Sequence, residues 1–316
     1  MTHVSLGPGA EFDLVRALLA RWGTLAQGAG DDAALVDVPP GETLLVSTDT
    51  SVEFVHFKRE WLTAHEVGYR AAASAVSDLA AMGAAPLGMT IAITLPDAWR
   101  AHALELGDGL AELAGATGTA ILGGDLTRGQ ALTITVTVLG SARPDRLLRR
   151  DGAIAGQAVF VTGRFGGPGA AVRALTDGET PRAEHRMRFA RPVPRLREAQ
   201  WLAAAGATAA VDCSDGLVAD AAHVAAASGH RLVLDLDQLP SVDGVTPTEA
   251  AGSGEEYELV VTGPASLDTH RFAREFGVPL TAVGRVEVAP ATGADVLVRV
   301  DGRVITPPAG HDHFRT

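Results

Sequence analysis

The sequence predicts two domains of α+β or α/β class, and three observations predict it. The chain has 316 residues, 47% hydrophobic and 20% charged, which suits a folded protein able to bury two ordinary cores. Apolar runs with the period of a strand alternate with helical patterns through both halves. Near Arg143 to Gly156 the pattern gives way to charged and turn residues, which divides the chain into domains at 1–142 and 143–316.

In the first half, Phe12, Val15, Leu18 and Leu19 repeat at helical spacing across Glu11 to Trp22. Thr43 to Phe54 reads as a strand that turns polar halfway along. Trp61 to Met82 is Ala-rich and helical, and it stops at Gly83 and Pro86. GMTIAITL is a strand, Pro96 and Asp97 open a helix to about Ala116, TAIL leads into GGD, and ALTITVTVLG is a strand of alternating β-branched residues. In the second half QAVFVTG, TAAVD, RLVLDLD and YELVVTG read as strands, as do segments near Leu280 to Val288 and Val296 to Val300. Helices follow GRFGGPG and start at Leu196, Leu217 and about Asp268. Pro181 to Pro194, with four arginines and three prolines, reads as a loop crossing the surface. The first half has no run of short β-α units, so a simple doubly wound sheet is not compelling.

Composition excludes several functions. Acidic residues number 38 against 26 basic ones, a formal net charge of -12, which argues against broad electrostatic binding of nucleic acid or anionic membranes. Lys58 is the only lysine, and it does not lie in the glycine-rich context of a P-loop. Cys213 is the only cysteine, so no intrachain disulfide and no cysteine-built zinc site can form. No cationic leader with an apolar run opens the chain, and no apolar stretch of about 18 residues occurs, so a cytoplasmic location is expected.

The informative residues are aspartates at the ends of apolar segments: Asp31 and Asp32 after GAG, Asp49 in STDT, Asp78 in SAVSDLAAMG, Asp125 after ILGG, and Asp212 and Asp215 in VDCSDG. Small neighbours leave room for a ligand at each. Cations are scarce nearby, apart from Arg128. Carboxylates converging without cationic partners repel, and a hard divalent cation removes that cost. The competing reading is structural, because aspartates at such junctions often cap helices or make turns, and Asp215 is a good cap candidate. Asp78 resists it, since it sits late in a helix, where the dipole disfavours a carboxylate. Spacing alone suggests a metal–phosphate site without naming a reaction.

Together, in order, GAGDDAAL, LLVSTDTSVE with FVHF, AVSDLAAMGA, LGGDLTRG, VDCSDGL and SGEEYEL closely resemble the thiamine-monophosphate kinase family. That family is grouped with aminoimidazole ribonucleotide synthetase and selenophosphate synthetase. The likeness runs from about Glu11 to the terminal HDHF. It implies a two-domain PurM-like fold, with an N-terminal domain forming a barrel-like sheet with a second subunit and a C-terminal α/β domain. It implies transfer of the γ-phosphoryl group of ATP to thiamine monophosphate by a homodimer. Carried over by motif, Asp32, Ser47, Thr48, Asp49, Asp78, Asp125, Asp212 and Asp215 would hold several magnesium ions. Gly124, Asp125, Arg150 and Ser214 would contact ATP, with Arg149 close enough in register to replace Arg150. His56, Glu255 and His311 would bind the thiamine monophosphate. The acceptor oxygen is already ionised, so no general base is assigned.

The chain departs from the family wording at three places. GSGEEYEL stands where SGGEDYEL is typical, so Ser253 interrupts a glycine pair and Glu256 replaces an aspartate. His311 stands where an aromatic often precedes the D-H-F ending, with Phe314 as a nearby ring. Cys213, between Asp212 and Ser214, reads as a small apolar filler rather than a nucleophile.

Overall fold

The computed structural model describes residues 8–26, 29–311 and 314. Gly28 of the GAGDDAAL motif, and Asp312 and His313 of the terminal motif, lie outside the described residues. The chain forms two compact units, one of residues up to Leu79 with Ala84–Pro144, the other of Ala80–Gly83 with Asp145 onward.

The first unit opens with α1 (Ala10–Trp22), whose Leu18 and Leu19 are buried. It continues through β1 (Thr43–Val52), α2 (Ala64–Ala81), β2 (Ala85–Leu95), α3 (Ala103–Thr117), β3 (Ala120–Arg128) and β4 (Thr133–Ala142). Its sheet has the order β1-β4-β2-β3, with β1·β4 and β4·β2 antiparallel and β2·β3 parallel. The period of two places Ile134, Val136 and Val138 of β4 on a buried face. Their register partners on β1 are Ser51, Asp49 and Ser47, so strand alternation turns Ser47 and Asp49 toward that face.

The expected barrel-like sheet is not found. The four-stranded sheet is open, with β1 and β3 as edges, and among the described residues no sheet closes on itself. Closure needs the first and last strands to pair, with a tilt and stagger that four strands ending at separate edges do not supply.

The second unit runs β5 (Ala158–Thr162), α4 (Gly167–Thr176), α5 (Ala183–Ala190), α6 (Leu196–Ala204), β6 (Ala209–Asp212), α7 (Leu217–Ser228), β7 (His230–Asp235), α8 (Pro247–Ala251), β8 (Leu259–Gly263), α9 (Thr269–Phe276), β9 (Leu280–Val288), β10 (Val296–Val300) and β11 (Arg303–Ile305). Its sheet has the order β11-β10-β7-β9-β5-β8-β6. Only β10·β7 is parallel, so the sheet is mixed and mainly antiparallel rather than α/β in the strict sense. The core is mainly aliphatic, with Val159, Val161, Val211 and Val260 buried around Phe165, each contributing roughly 1.5–3 kcal/mol.

Pro181 to Pro194 is not only a loop. Ala183–Ala190 is helical, and its Phe189 is buried. Among the described residues no helix is long and apolar enough to cross a membrane.

Candidate functional site

In the first unit Ser47, Thr48 and Asp49 lie midway along β1, Gly124 and Asp125 midway along β3, and Asp78 late in α2. Asp49 Oδ1 accepts the Thr50 N–H at 2.8 Å, and the Ser47 hydroxyl donates to Asp78 Oδ2 at 2.5 Å. That bond explains the carboxylate late in α2, because its partner comes from the sheet rather than from the helix. Thr48 is exposed on the opposite face, where its hydroxyl lies 3.0 Å from Thr137 Oγ1. The motif STDT therefore splits by strand alternation, Ser47 and Asp49 to one side and the Thr48 hydroxyl to the other.

A cleft of about 350 Å³ is lined on one side by Phe12, Val15 and Trp22 of α1 with Ile91 and Ile93 of β2. Asp31, Asp32, Gly124 and Asp125 line its polar part. Gly124 is required there, since a Cβ would lie 1.9 Å from the Ile91 carbonyl oxygen. The structure thus brings Asp32 and Asp125, far apart in sequence, to one cleft. Arg128, the one cation expected nearby, is engaged by Asp97 at 2.5 Å.

His56 lies in a turn after β1, where Phe54 has φ 70° and the Phe54 N–H donates to the Phe57 carbonyl at 2.7 Å. The Val52 N–H donates to His56 Nδ1 at 3.0 Å, which places the proton of the neutral ring on Nε2. Buried Glu53 anchors this turn by accepting from Trp99 Nε1 at 2.9 Å and the Leu132 N–H at 3.2 Å.

In the second unit, β6 ends at buried Asp212 and the chain turns through Cys213–Gly216 into α7. The Asp215 side chain does not cap this helix, contrary to the cap reading. Gly216 holds the cap position, and Asp220 Oδ2 reaches back to accept the N–H groups of Asp215 and Gly216 at 3.0 Å each. Burial pushes the Asp220 carboxyl up to about 6, and the Asp215 charge adds to the rise. Sequence reasoning passed over Asp220; an acid in the first turn of a helix with glycine at its cap was the available signal. Cys213 is fully buried, and burial followed by the charge of Asp220 raises its thiol well above the usual range, as an inert filler requires.

Two further segments close on this turn. The Glu255 N–H donates to the Ser214 carbonyl at 2.7 Å, and the His311 N–H donates to the Asp215 carbonyl at 2.9 Å. Backbone hydrogen bonds therefore gather Ser214, Asp215, Glu255 and His311. Phe314 is 95% exposed and packs little of its ring. Arg149 is held by Asp151 at 2.9 and 3.0 Å, and that hydrogen bond and charge raise its pKa. The neighbouring Arg150 is exposed, and its guanidinium makes no such pair among the described residues.

Family models match both halves of the chain: AIR synthase related protein, N-terminal domain, over residues 30–142, and AIR synthase related protein, C-terminal domain, over 155–296. The thiamine-monophosphate kinase of Salmonella typhimurium is 36% identical over 307 residues, covering 92% of each chain. The chain belongs to the thiamine-monophosphate kinase family. The crystal structure of thiamine-monophosphate kinase from Stenotrophomonas maltophilia superposes with a TM-score of 0.81 at 35% identity, covering 96% of this chain and 99% of that one. AaThiL complexed with AMPPCP and TMP gives 0.75 at 28% identity, covering 98% and 100%.

The donor set suits magnesium in its chemistry. Every candidate is a hard oxygen, and Asp32, Thr48 and Asp125 are exposed. Among the described residues no three His, Cys, Asp or Glu side chains are grouped to hold a metal.

Proposed function

We propose that the chain is an ATP-dependent kinase that phosphorylates thiamine monophosphate to thiamine diphosphate by direct transfer. The observation that carries this reading is the 2.7 Å hydrogen bond from Glu255 to Ser214, which couples the segment assigned to the acceptor with the turn assigned to the nucleotide. Similarity to thiamine-monophosphate kinases along the full chain supports the choice of substrate.

In this reading an oxygen of the thiamine monophosphate phosphate attacks the γ-phosphorus of ATP. The bond to the β,γ-bridging oxygen breaks and ADP leaves. The nucleophile is already anionic, so the protein's task is to neutralise and align. Gly124, Asp125, Arg150 and Ser214 hold ATP, Arg150 by a planar phosphate contact. Its neighbour's pairing with Asp151 favours Arg150 over Arg149. His56, through its Nε2–H, and Glu255 and His311 hold the acceptor. Asp32, Ser47, Thr48, Asp49, Asp78, Asp125, Asp212 and Asp215 are the candidate magnesium ligands, Ser47 through its backbone carbonyl or its hydroxyl. Magnesium held by these residues would supply charge neutralisation at the phosphates.

The resemblance also supports a homodimer and a cytoplasmic location. The direct test offers ATP with thiamine monophosphate, free thiamine and aminoimidazole precursors in parallel. Thiamine diphosphate should form from the monophosphate alone; phosphorylation of free thiamine only would refute the assignment.

A further inference from the structure

The segment that carries Glu255 is held in an unfavourable backbone. Glu255 has φ 64° and Tyr257 has φ 52°, a left-handed conformation that residues with a Cβ adopt only where the surroundings enforce it. Part of the enforcement is main-chain. The Glu256 and Tyr257 N–H groups both donate to the Cys213 carbonyl, at 3.0 and 2.9 Å, beside the Glu255 bond to Ser214. Gly254 lies so close that a Cβ there would sit 2.7 Å from the Ser214 oxygen.

Side chains add to it: the Tyr257 hydroxyl donates to Glu255 Oε2 at 2.8 Å, and two further side chains, Ser253 and Glu256, tie the loop to α4. Glu256 points inward and is buried, while Glu255 on the preceding residue is half-exposed. Glu256 Oε1 accepts the Gly166 N–H at 2.5 Å and the Ser253 hydroxyl at 2.7 Å, and Oε2 faces Arg188 Nη2 at 3.3 Å. Ser253 Oγ in turn accepts the Gly169 N–H at 3.0 Å. Gly166 is the cap residue of α4 and has no side chain with which to cap it, and Gly169 lies in its first turn. The first amides of that helix are therefore satisfied by a loop more than 80 residues downstream. Ser253 and Glu256 are therefore joined to each other as well as to the start of α4. A shorter carboxylate at 256 would not span from the loop to Gly166, and glycine at 253 would leave the Gly169 N–H and one carboxylate lone pair without this partner.

We propose that Ser253 and Glu256 act as a coupled pair of positioning residues, locking the 253–257 loop onto the start of α4 so that Glu255 is presented to the phosphate acceptor. This rests on the reading of Glu255 as an acceptor contact. The pair sets affinity for the acceptor and leaves ATP binding and the chemical step to other residues.

The test uses the full chain with Ser253→Gly, Glu256→Asp, the double variant, and Ser253→Ala as the mildest change. Amide hydrogen exchange at 255–257 is measured without ligand, and KM for thiamine monophosphate, KM for ATP, kcat and Tm are measured with it. Each single variant should exchange faster at these amides and raise the acceptor KM at least fivefold, with kcat and ATP KM within about twofold. The double variant should fall below the product of the two single effects, because the shorter acid then no longer faces an unmatched serine. Unchanged exchange would overturn the proposal. So would a fall in Tm with an unchanged acceptor KM, or purely multiplicative effects in the double variant. If the wild-type chain does not phosphorylate thiamine monophosphate, the functional reading fails, and the ligand-free exchange still decides whether the pair holds the loop.

Discussion

Ser47 on the first strand donates its hydroxyl to Asp78 Oδ2 on α2 at 2.5 Å, joining two residues 31 positions apart. The contact gives a carboxylate in an unfavourable helical position a reason to be there, and it turns that carboxylate toward the face of the sheet that also carries Asp49. Asp78→Asn keeps the size and a hydrogen-bonding group at this contact but removes the charge. Steady-state assay should show turnover reduced by roughly 100-fold or more, with Tm within a few degrees of wild type. Asp49→Asn should behave alike, and near-normal turnover of either variant at low magnesium would remove it from the metal site.

The two adjacent arginines should separate cleanly. Arg149 is occupied by Asp151, whereas Arg150 is not so paired among the described residues. Arg150→Ala should raise the KM for ATP by roughly 10-fold, in line with loss of a charged contact, and leave the acceptor KM nearly unchanged. Arg149→Ala should change the ATP KM by less than about twofold. The reverse order would transfer the phosphate contact to Arg149.

Glu256 should make stability depend on pH. Burial pushes its carboxyl up to about 7, against the pull of Arg188, Ser253 and the Gly166 amide, from an ordinary value of 4.5. The folded protein then binds a proton more tightly than the unfolded chain. This group's stabilisation is complete below pH 4.5 and is lost as pH rises through about 7, a change on the order of 3 kcal/mol. Urea unfolding at pH 5 and pH 8 should show the wild type losing more stability over that interval than Glu256→Gln. Equal losses would mean that the carboxyl is not strained by burial.

Arg195 and Glu258 form a buried two-pronged ion pair, at 2.6 and 2.7 Å, with Thr162 donating to the same carboxylate at 2.7 Å. Burial alone would raise the Glu258 carboxyl, but the charge and hydrogen bonds of Arg195 hold it below its usual range. Removing one partner strands a charge in the interior, so Arg195→Ala should cost roughly 3–5 kcal/mol in chemical denaturation. A cost under about 1 kcal/mol would mean that Arg188, 3.3 Å from Glu258, takes over the pairing.

Much of this is legible in the sequence. Strands such as β4 announce themselves by alternation, and the aspartates stand out because small residues surround them. What the sequence hides is long-range. Proline and arginine content made Pro181 to Pro194 look like a loop, whereas Phe189 gives α5 a buried anchor that local composition does not reveal. The Asp215 cap failed because Asp220, four residues inside the helix, takes the amides a cap would take. The barrel-like sheet came from resemblance, and the strand order of this chain ends at two open edges. The contacts Ser47–Asp78 and Ser253–Glu256 depend on tertiary packing or loop geometry that no spacing rule supplies.

The most direct test of the central claim follows the label from γ-³²P-ATP with thiamine monophosphate, magnesium and the purified chain. The label should appear in the terminal phosphate of thiamine diphosphate, with one ADP formed for each labelled product. Release of the label as inorganic phosphate, with thiamine monophosphate recovered intact, would contradict the account.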